Sequence, residues 1–509
     1  MDCHTRTIVS GSRDIEYVAL SYVWGSKISS PAHTIQRGTL STVLAEVPRT
    51  IEDAILVTKL LGFRYILVDM YCIDQEDAVD KHNQIAHTDI VYSHADLTII
   101  VAVGDDCHYG MPGIGKNQRQ VQKWVTLNVV NLYPFGCPVK YEIWNSKWWT
   151  RAWTFQEALL SHRRLVFTDS QMFFECNTTA SMERVGGLEF VETQQELRLY
   201  EAIMDCKVFR GLLDAQDSNA IDGALDHNMF QKLVTMYSSK SLSFESDSLN
   251  AFGAIAMVFS KAGKTTWPPY EGHEPILSLS GIPCTLSSTR GQRELSLTND
   301  LLWDHSPRKC RIRRSNFPSW TWAGYEGPAR WGLHAVTINL IHFDAIEAEG
   351  GRKRDIMEIE AFQSSEKGSP GIPTTRCLHV TAPVAAPEFW KSSSIDGLSW
   401  KWEGPGDLMP TGTLRFYKTS REKANKQDCI VKLRSGAWSA IYCGVHRAGI
   451  VFIVVVAKQE EGTCLGFCRV GILNLWFSKQ YLKPGCTEFN GDPGKYLIEF
   501  TTNTQLMLV

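Results

Sequence analysis

Two stretches limit what this chain can fold into. Residues 65–73 (YILVDMYCI) and 97–103 (LTIIVAV) are almost continuously apolar and rich in β-formers. A strand that alternates apolar and polar residues buries one face, whereas a run of this kind is covered on both, the mark of a parallel sheet. A shorter run of the same kind, residues 17–24 (YVALSYVW), ends at Gly25. Between these strands the periodicity turns helical. Ile51, Ala54, Ile55, Thr58 and Leu61 share one helix face, Thr50 and Asp53 form a capping-box-like pair, and Gly62 supplies the stop. A polar helix is expected over about residues 77–93 and a short one over 153–161. A hairpin is expected from 164–168 and 171–176. Strands alternating with helices predict an α/β fold with a parallel sheet flanked by helices, in flavodoxin-like order, with function at the C-terminal strand ends.

The remainder reads differently. Residues 180–262 are expected to form a helical connecting region, with helices near 194–210 and 227–237. Residues 263–509 read as β-rich, with strands at 357–362, 378–382, 413–417, 430–433, 451–457 and 497–500. Exposed loops are expected at 364–373 and 419–427. The chain has 509 residues, which suits two or three domains. It is 44% hydrophobic and 21% charged, a balance that excludes wholesale disorder. Its 52 basic and 55 acidic residues leave a formal charge of -3, so neither nucleic acid nor an acidic membrane surface is an expected partner. No signal-peptide core and no run of about 18 apolar residues occurs, so no membrane span is expected and a cytoplasmic chain is. The chain starts close to its first strand, which leaves room for a preceding segment.

The 14 cysteines are scattered in the pattern of reduced thiols. Cys464 and Cys468 flank a strand-like Leu-Gly-Phe, and no second ligand pair follows, so no metal site is expected. His82, His87, His94 and His108 cluster without the carboxylate spacing of zinc helices. Gly110, Gly113, Gly115 and Lys116 nearly spell a phosphate loop, but Asn117 stands where a magnesium-holding Ser or Thr is needed. A glycine-rich surface turn fits better.

Three blocks carry a resemblance. The first is Ala19-Leu20-Ser21-Tyr22-Val23-Trp24-Gly25. The second runs from Thr50, Ile51, Glu52, Asp53 and Ala54 through Leu61, Gly62 and residues 65–69 to Cys72, Ile73, Asp74 and Gln75. It continues to Gln84, Ile85, Val91, Tyr92, Ser93, Ala95 and Gly104. The third is Arg151-Ala152-Trp153-Thr154-Phe155-Gln156-Glu157, followed by Leu159, Leu160, Ser161, Arg163 and Phe167. In this order and spacing they resemble the fungal HET (heterokaryon incompatibility) domain over about residues 15–178. Weaker similarity continues at Tyr237-Ser238, Phe252-Gly253, residues 318–323 and Arg469-Val470-Gly471. Thr88 departs from the pattern, standing where a methionine is expected in the second helix.

The resemblance implies a TIR-like fold, a role in self/non-self signalling that ends in programmed cell death, and action through self-association or an unknown incompatibility partner. Some TIR domains cleave NAD at the nicotinamide–ribose bond with one glutamate, often in a Trp-Cys-x-x-Glu context. Trp153 and Glu157 have that spacing, with Thr154 for Cys. NAD(P) would then be a substrate, and no bound cofactor is expected. Glu157 is the candidate catalytic residue.

Each candidate also has a plainer reading. Trp153, Gln156, Glu157 and Leu160 share a helix face, so Glu157 is not fully solvated and needs a partner or a purpose. Arg151, Arg163 or Arg164 could close a salt bridge with it; alternatively it stabilises the ribose cation as nicotinamide leaves. Asp69, Cys72, Asp74 and Gln75 follow the second strand, where such sheets bind ligands. They could instead cap a helix. Tyr22, Trp24 and Gly25 end the first strand, and the aromatics could stack on a base or pack against Trp148 and Trp149. A non-enzymatic scaffold and, more distantly, a metabolic α/β enzyme are the competing functions.

Overall fold

The structure is a computed structural model describing residues 1–11, 14–25, 46–73, 84, 88–119, 125–127, 130–132, 139–183, 208–209, 227–261, 275–287, 289–305, 312–332, 335–348, 351–359, 375–385, 393–396, 399–402, 411–416, 431–446, 450–461, 464–476 and 501–508. The chain forms two compact units, residues 1–224 with 240–255, and residues 225–239 with 256–509.

In the first unit a six-stranded sheet is built around β1 (Tyr17–Ser21). β2 (Tyr65–Leu67) and β3 (Leu97–Val101) lie parallel on its two sides, and β6 (Arg163–Phe167) lies parallel to β3. All five residues of β3 are buried, as a strand covered on both faces requires. β7 (Met172–Cys176) and β8 (Ala180–Met182) return antiparallel at the margin. A separate hairpin pairs β4 (Val125–Leu127) with β5 (Val130–Leu132). The sheet is therefore mixed, with a parallel part in the order β2-β1-β3-β6 and the expected hairpin after it.

α1 (Arg49–Leu60) sets Ile51, Ala54 and Ile55 into the core with Val18, Leu20, Ile66, Ile99 and Val101. The expected capping box at its start does not form. Thr50 Oγ1 accepts the Gly110 amide at 3.1 Å, and Asp53 Oδ2 accepts the Met111 amide at 2.8 Å. Both side chains hold a loop that is distant in the chain instead of their own helix end. Gly110, Gly113 and Gly115 all have positive φ there, and the Gly113, Ile114 and Asn117 amides are used within the loop. This is a surface turn, not a phosphate cradle.

The apolar run at 65–73 is not one strand. Pairing stops after Leu67 and α2 (Asp69–Cys72) begins, because the Asp69 carboxylate accepts the Met70 amide at 2.8 Å and turns the chain. Of the expected polar helix, α3 (Thr88–Ser93) is its end; apart from Gln84, residues 77–87 lie outside the described residues. α4 (Val139–Asn145) and α5 (Lys147–Thr150) precede α6 (Trp153–Leu160). Residue 180 opens β8 rather than a helix, because Thr179 O accepts the Cys176 amide at 2.8 Å and closes a tight turn.

In the second unit α7 (His227–Tyr237) has the bounds expected of it. The 194–210 helix lies outside the described residues, except for 208 and 209. α8 (Asn250–Ser260) runs across the division between the units in the chain, and in the second unit strands Ile276–Leu279 and Ile282–Thr285 form a hairpin. Its turn, Ser280-Gly281, has φ of 46° and 92°, the mirror-image turn that suits strand twist. α9 (Arg290–Leu301) lies in the stretch read as β-rich and buries Leu297 and Leu301. An eleven-stranded, mostly antiparallel sheet follows, with Ile450–Glu461 and Cys464–Trp476 as its longest hairpin. The expected strands at 378–382, 413–417 and 451–457 fall in or against strands of this sheet, Thr375–Ala385, Thr411–Phe416 and Ile450–Glu461. Two expected strands are corrected. Ile356–Glu358 is a 3-10 turn capped by Asp355, and residues 431–434 are helical. Residues 497–500 and both expected loops lie outside the described residues.

Residues 318–325 and Arg469 meet in this unit. Ser319 Oγ accepts the Arg469 amide at 2.8 Å, and Tyr325 donates to Arg469 O at 2.5 Å. The Arg469 guanidinium lies 4.0 Å from the Trp303 ring centroid and donates to Leu301 O and Trp303 O. A buried cation that satisfies two carbonyls and an aromatic face is hard to replace. Arg469→Ala is expected to lower the denaturation midpoint of the second unit, by about 2–4 kcal/mol in stability, measured by chemical unfolding.

Candidate functional site

Ser21 is the last residue of β1, set opposite Ile100 of β3, and its hydroxyl sits at the C-terminal edge of the parallel strands. That hydroxyl donates to Glu157 Oε2 at 2.5 Å and accepts from the Trp148 indole at 2.7 Å. Trp148 is fully buried on α5, and Glu157 is half-buried on α6. One polar residue at a strand end thus joins two helices to the sheet.

Beyond Ser21 the chain leaves the sheet. The Trp24 indole donates to both Asp69 oxygens, at 3.1 and 3.0 Å. Trp24 O accepts the Cys107 amide at 3.2 Å, which pins this segment to the loop after β3. Gly25 follows with φ of 93°, and a Cβ there would lie 2.4 Å from the Asp106 Cβ. Only glycine fits that turn. Arg151, extended between α5 and α6, donates from Nη1 to Tyr22 O at 2.7 Å. These bonds place Asp69, Glu157 and Arg151 near the same strand ends.

The electrostatics follow from that placement. Burial, and then the negative charge of Asp69, push the Glu157 carboxyl up to about 7; the Ser21 hydroxyl, the Arg151 charge and the Tyr92 phenol draw it down. Burial pushes Asp69 up to about 6 against the Met70 amide, Arg151 and Trp24. Tyr22 faces Asp69 too, although its buried hydroxyl lacks good hydrogen-bond geometry. Tyr92 donates a long bond to Leu20 O at 3.5 Å. The two acids interact, so they titrate as a pair. Both residues keep some exposed surface while their carboxyl groups are desolvated.

The structure therefore brings together Tyr22, Trp24, Gly25, Asp69, Arg151 and Glu157. Trp24 stands on Asp69 rather than against Trp148 and Trp149, which instead pack on each other and on Phe209. Cys72 serves α2, where its sulfur accepts the Val68 amide at 3.4 Å. Trp153 opens α6, half-buried. Gln156 is fully buried and its side-chain amide has no hydrogen-bond partner among the described residues. Asp74 and Gln75 lie outside the described residues. Among the described residues no salt bridge ties Glu157 to Arg151, Arg163 or Arg164. Arg164 instead donates to Ala158 O and Leu159 O, and Arg163 to Asp96 O. Ser21, Tyr92 and Trp148 are site residues that sequence reasoning passed over. The signal for Ser21 was a hydroxyl closing an otherwise apolar strand.

Residues 17–157 match the family model described as "Heterokaryon incompatibility protein (HET)". No curated protein and no solved structure matches the chain. The family match ends at Glu157, and the whole carboxyl cluster lies inside it.

A carboxyl whose pKa is raised on folding stabilises the fold only while protonated. Its contribution is complete below the unfolded value near 4.5 and is lost as pH climbs through about 7. Glu157→Gln is therefore expected to melt like the parent at pH 4 and several degrees higher at pH 8, by calorimetry. Asp69→Asn removes the like charge, so in its background the pH at which the difference between the two proteins levels off should move down.

Proposed function

The chain carries a HET domain at residues 17–157, a module of heterokaryon-incompatibility type, and from this premise we propose that the domain is a TIR-like signalling unit that hydrolyses NAD(P) and so triggers programmed cell death. The observation that carries the reading is the Glu157 carboxyl. It is desolvated, poised near neutrality, and set beside Asp69 and Arg151 at the C-terminal ends of the parallel strands. Groups that do acid–base or charge-stabilising work at neutral pH are tuned in this way.

In the proposed reaction the bond between nicotinamide nitrogen and ribose C1′ breaks, and its electron pair leaves with neutral nicotinamide. The ionised Glu157 carboxylate stabilises the positive ribose carbon. A water oxygen then bonds to C1′, its proton passes to solvent, and the products are nicotinamide and ADP-ribose, or its phosphate. Trp24 offers an aromatic face for the leaving ring, and Arg151 keeps part of the Glu157 population ionised. Assembly of HET domains, alone or with an incompatibility partner, is the proposed trigger.

A scaffold reading has its own support. The bond between Ser21 and Glu157 also ties α6 to β1, a structural use of the same carboxyl. In that case death signalling follows from self-association without turnover.

Nicotinamide release by purified protein at rising concentration separates the two. Hydrolysis predicts a steep rise with concentration, a loss of about 100-fold or more in Glu157→Gln, and a rate that climbs about tenfold per pH unit below 7 and levels above it. Folded, self-associated protein that releases no nicotinamide would establish the scaffold instead.

A further inference from the structure

The family match stops at Glu157, but the turn that launches α6 is held from outside it. The Ala152 amide, at the N-cap of α6, donates to Ser241 O at 2.9 Å. The Ser241 amide donates to Thr150 O at 2.6 Å. Arg151 and Ser241 thereby form a parallel β-bridge, 90 positions apart in sequence. The neighbouring residue adds a third anchor: Lys240 Nζ donates to Trp149 O at 2.7 Å and lies 3.4 Å from the Trp149 ring centroid and 5.4 Å from that of Phe155. Trp149 is itself stacked on Trp144 and packed on Trp148, the residue that bonds Ser21. All of these residues belong to the first unit.

We propose that Lys240 and Ser241 are positioning residues of the carboxyl cluster, a strap that fixes residues 150–152 and so sets where Arg151 stands and where α6 begins. A β-bridge constrains the backbone on both sides of Arg151, adding to the bonds it makes with Trp148 O, Tyr22 O and the Thr154 hydroxyl. A lysine ammonium over an indole face, with a carbonyl to accept from it, is the arrangement a desolvated cation needs. Burial draws the Lys240 amine down to about 7, so the contact is made at a cost that a surface lysine would not carry. The consequence for chemistry runs through Arg151. Its charge draws the Glu157 carboxyl down, so a strap that loosens lets Arg151 move and Glu157 rise. The activity arm of this inference rests on the proposed NAD(P) hydrolysis; the structural arm does not.

Two measurements test it without turnover. Hydrogen exchange on the full chain should show the Ala152 and Ser241 amides protected by about 100-fold or more over unstructured peptide; free exchange at both would overturn the strap. The pH at which the stability advantage of Glu157→Gln over Glu157 stops growing reports the folded-state carboxyl itself. In a Lys240→Met background that pH should rise by about 0.5–1 unit, and in Lys240→Arg, which keeps the cation on the indole, it should return toward the parent value. An unmoved levelling pH in Lys240→Met would show the lysine to be packing only and overturn its positioning role. Nicotinamide release adds the last arm. A fall of about two- to fivefold at pH 7 in Lys240→Met, recovering at higher pH, supports the strap and the hydrolysis together. A shifted levelling pH with no release from any of the proteins keeps the strap and removes the hydrolysis.

Discussion

Two carboxyl groups, Asp69 and Glu157, share a desolvated region with one guanidinium, Arg151, and much of the first unit is arranged to make that tolerable. Removing a carboxylate from water costs several kcal/mol unless hydrogen bonds replace its hydration. Here the replacements are specific: the Trp24 indole and the Met70 amide on Asp69, the Ser21 hydroxyl on Glu157. Each donor needs its own support. Trp24 stays in place because Cys107 bonds its carbonyl and Gly25 takes a backbone angle other residues resist. Ser21 stays in place because β1 is paired on both sides and Trp148 donates to its oxygen. Burial is what raises both acids, with the Asp69 charge adding to it at Glu157, and the single Arg151 cation does not offset it.

How much of this was legible in the sequence depends on whether the cause was local. Apolar periodicity located β1, β3 and the β6–β7 hairpin, and it gave the bounds of α7 and, to within a residue, of α6. It also made Glu157 a helix residue short of full solvation. Asp69 shows the limit. In an apolar run of nine residues its single carboxylate reads as an interruption of a strand, yet its bond to the next amide ends the strand and begins a turn of helix. Thr50 and Asp53 show another. Their spacing fits a cap on α1, and either partner would satisfy the oxygens; the Gly110 and Met111 amides, 60 and 58 positions away, take them. A polar side chain announces that it needs a bond, not with whom.

The same limit governs the residues that complete the cluster from afar. Nothing near Lys240 or Ser241 in sequence announces a contact with residues 149–152, because a backbone bridge carries no side-chain signature. In the second unit the meeting of residues 318–323 with Arg469 is equally silent: a serine hydroxyl and a buried guanidinium find each other across 150 positions. α9 was hidden for a different reason. Its interleaved polar residues blur the helical period, and its buried Arg293, Glu294 and Asp300 are polar. The Arg293 guanidinium bonds to Ser287 O, and the Glu294 carboxylate to the Phe343 amide, after the fold has formed.

The acid at position 157 is the part of the cluster that structure alone does not need. A glutamine there could accept the same bond from Ser21, would not repel Asp69, and would not be destabilised as pH rises through 7. Tying α6 to β1 is thus better served by an amide than by a carboxyl. A carboxyl that stays near half ionisation, beside a second acid and an arginine held by its own backbone bridge, gives up stability at neutral pH for a negative charge that switches on there. That exchange makes sense where a positive centre must be stabilised at the strand ends, and the Arg151 turn then controls how much of that charge is present.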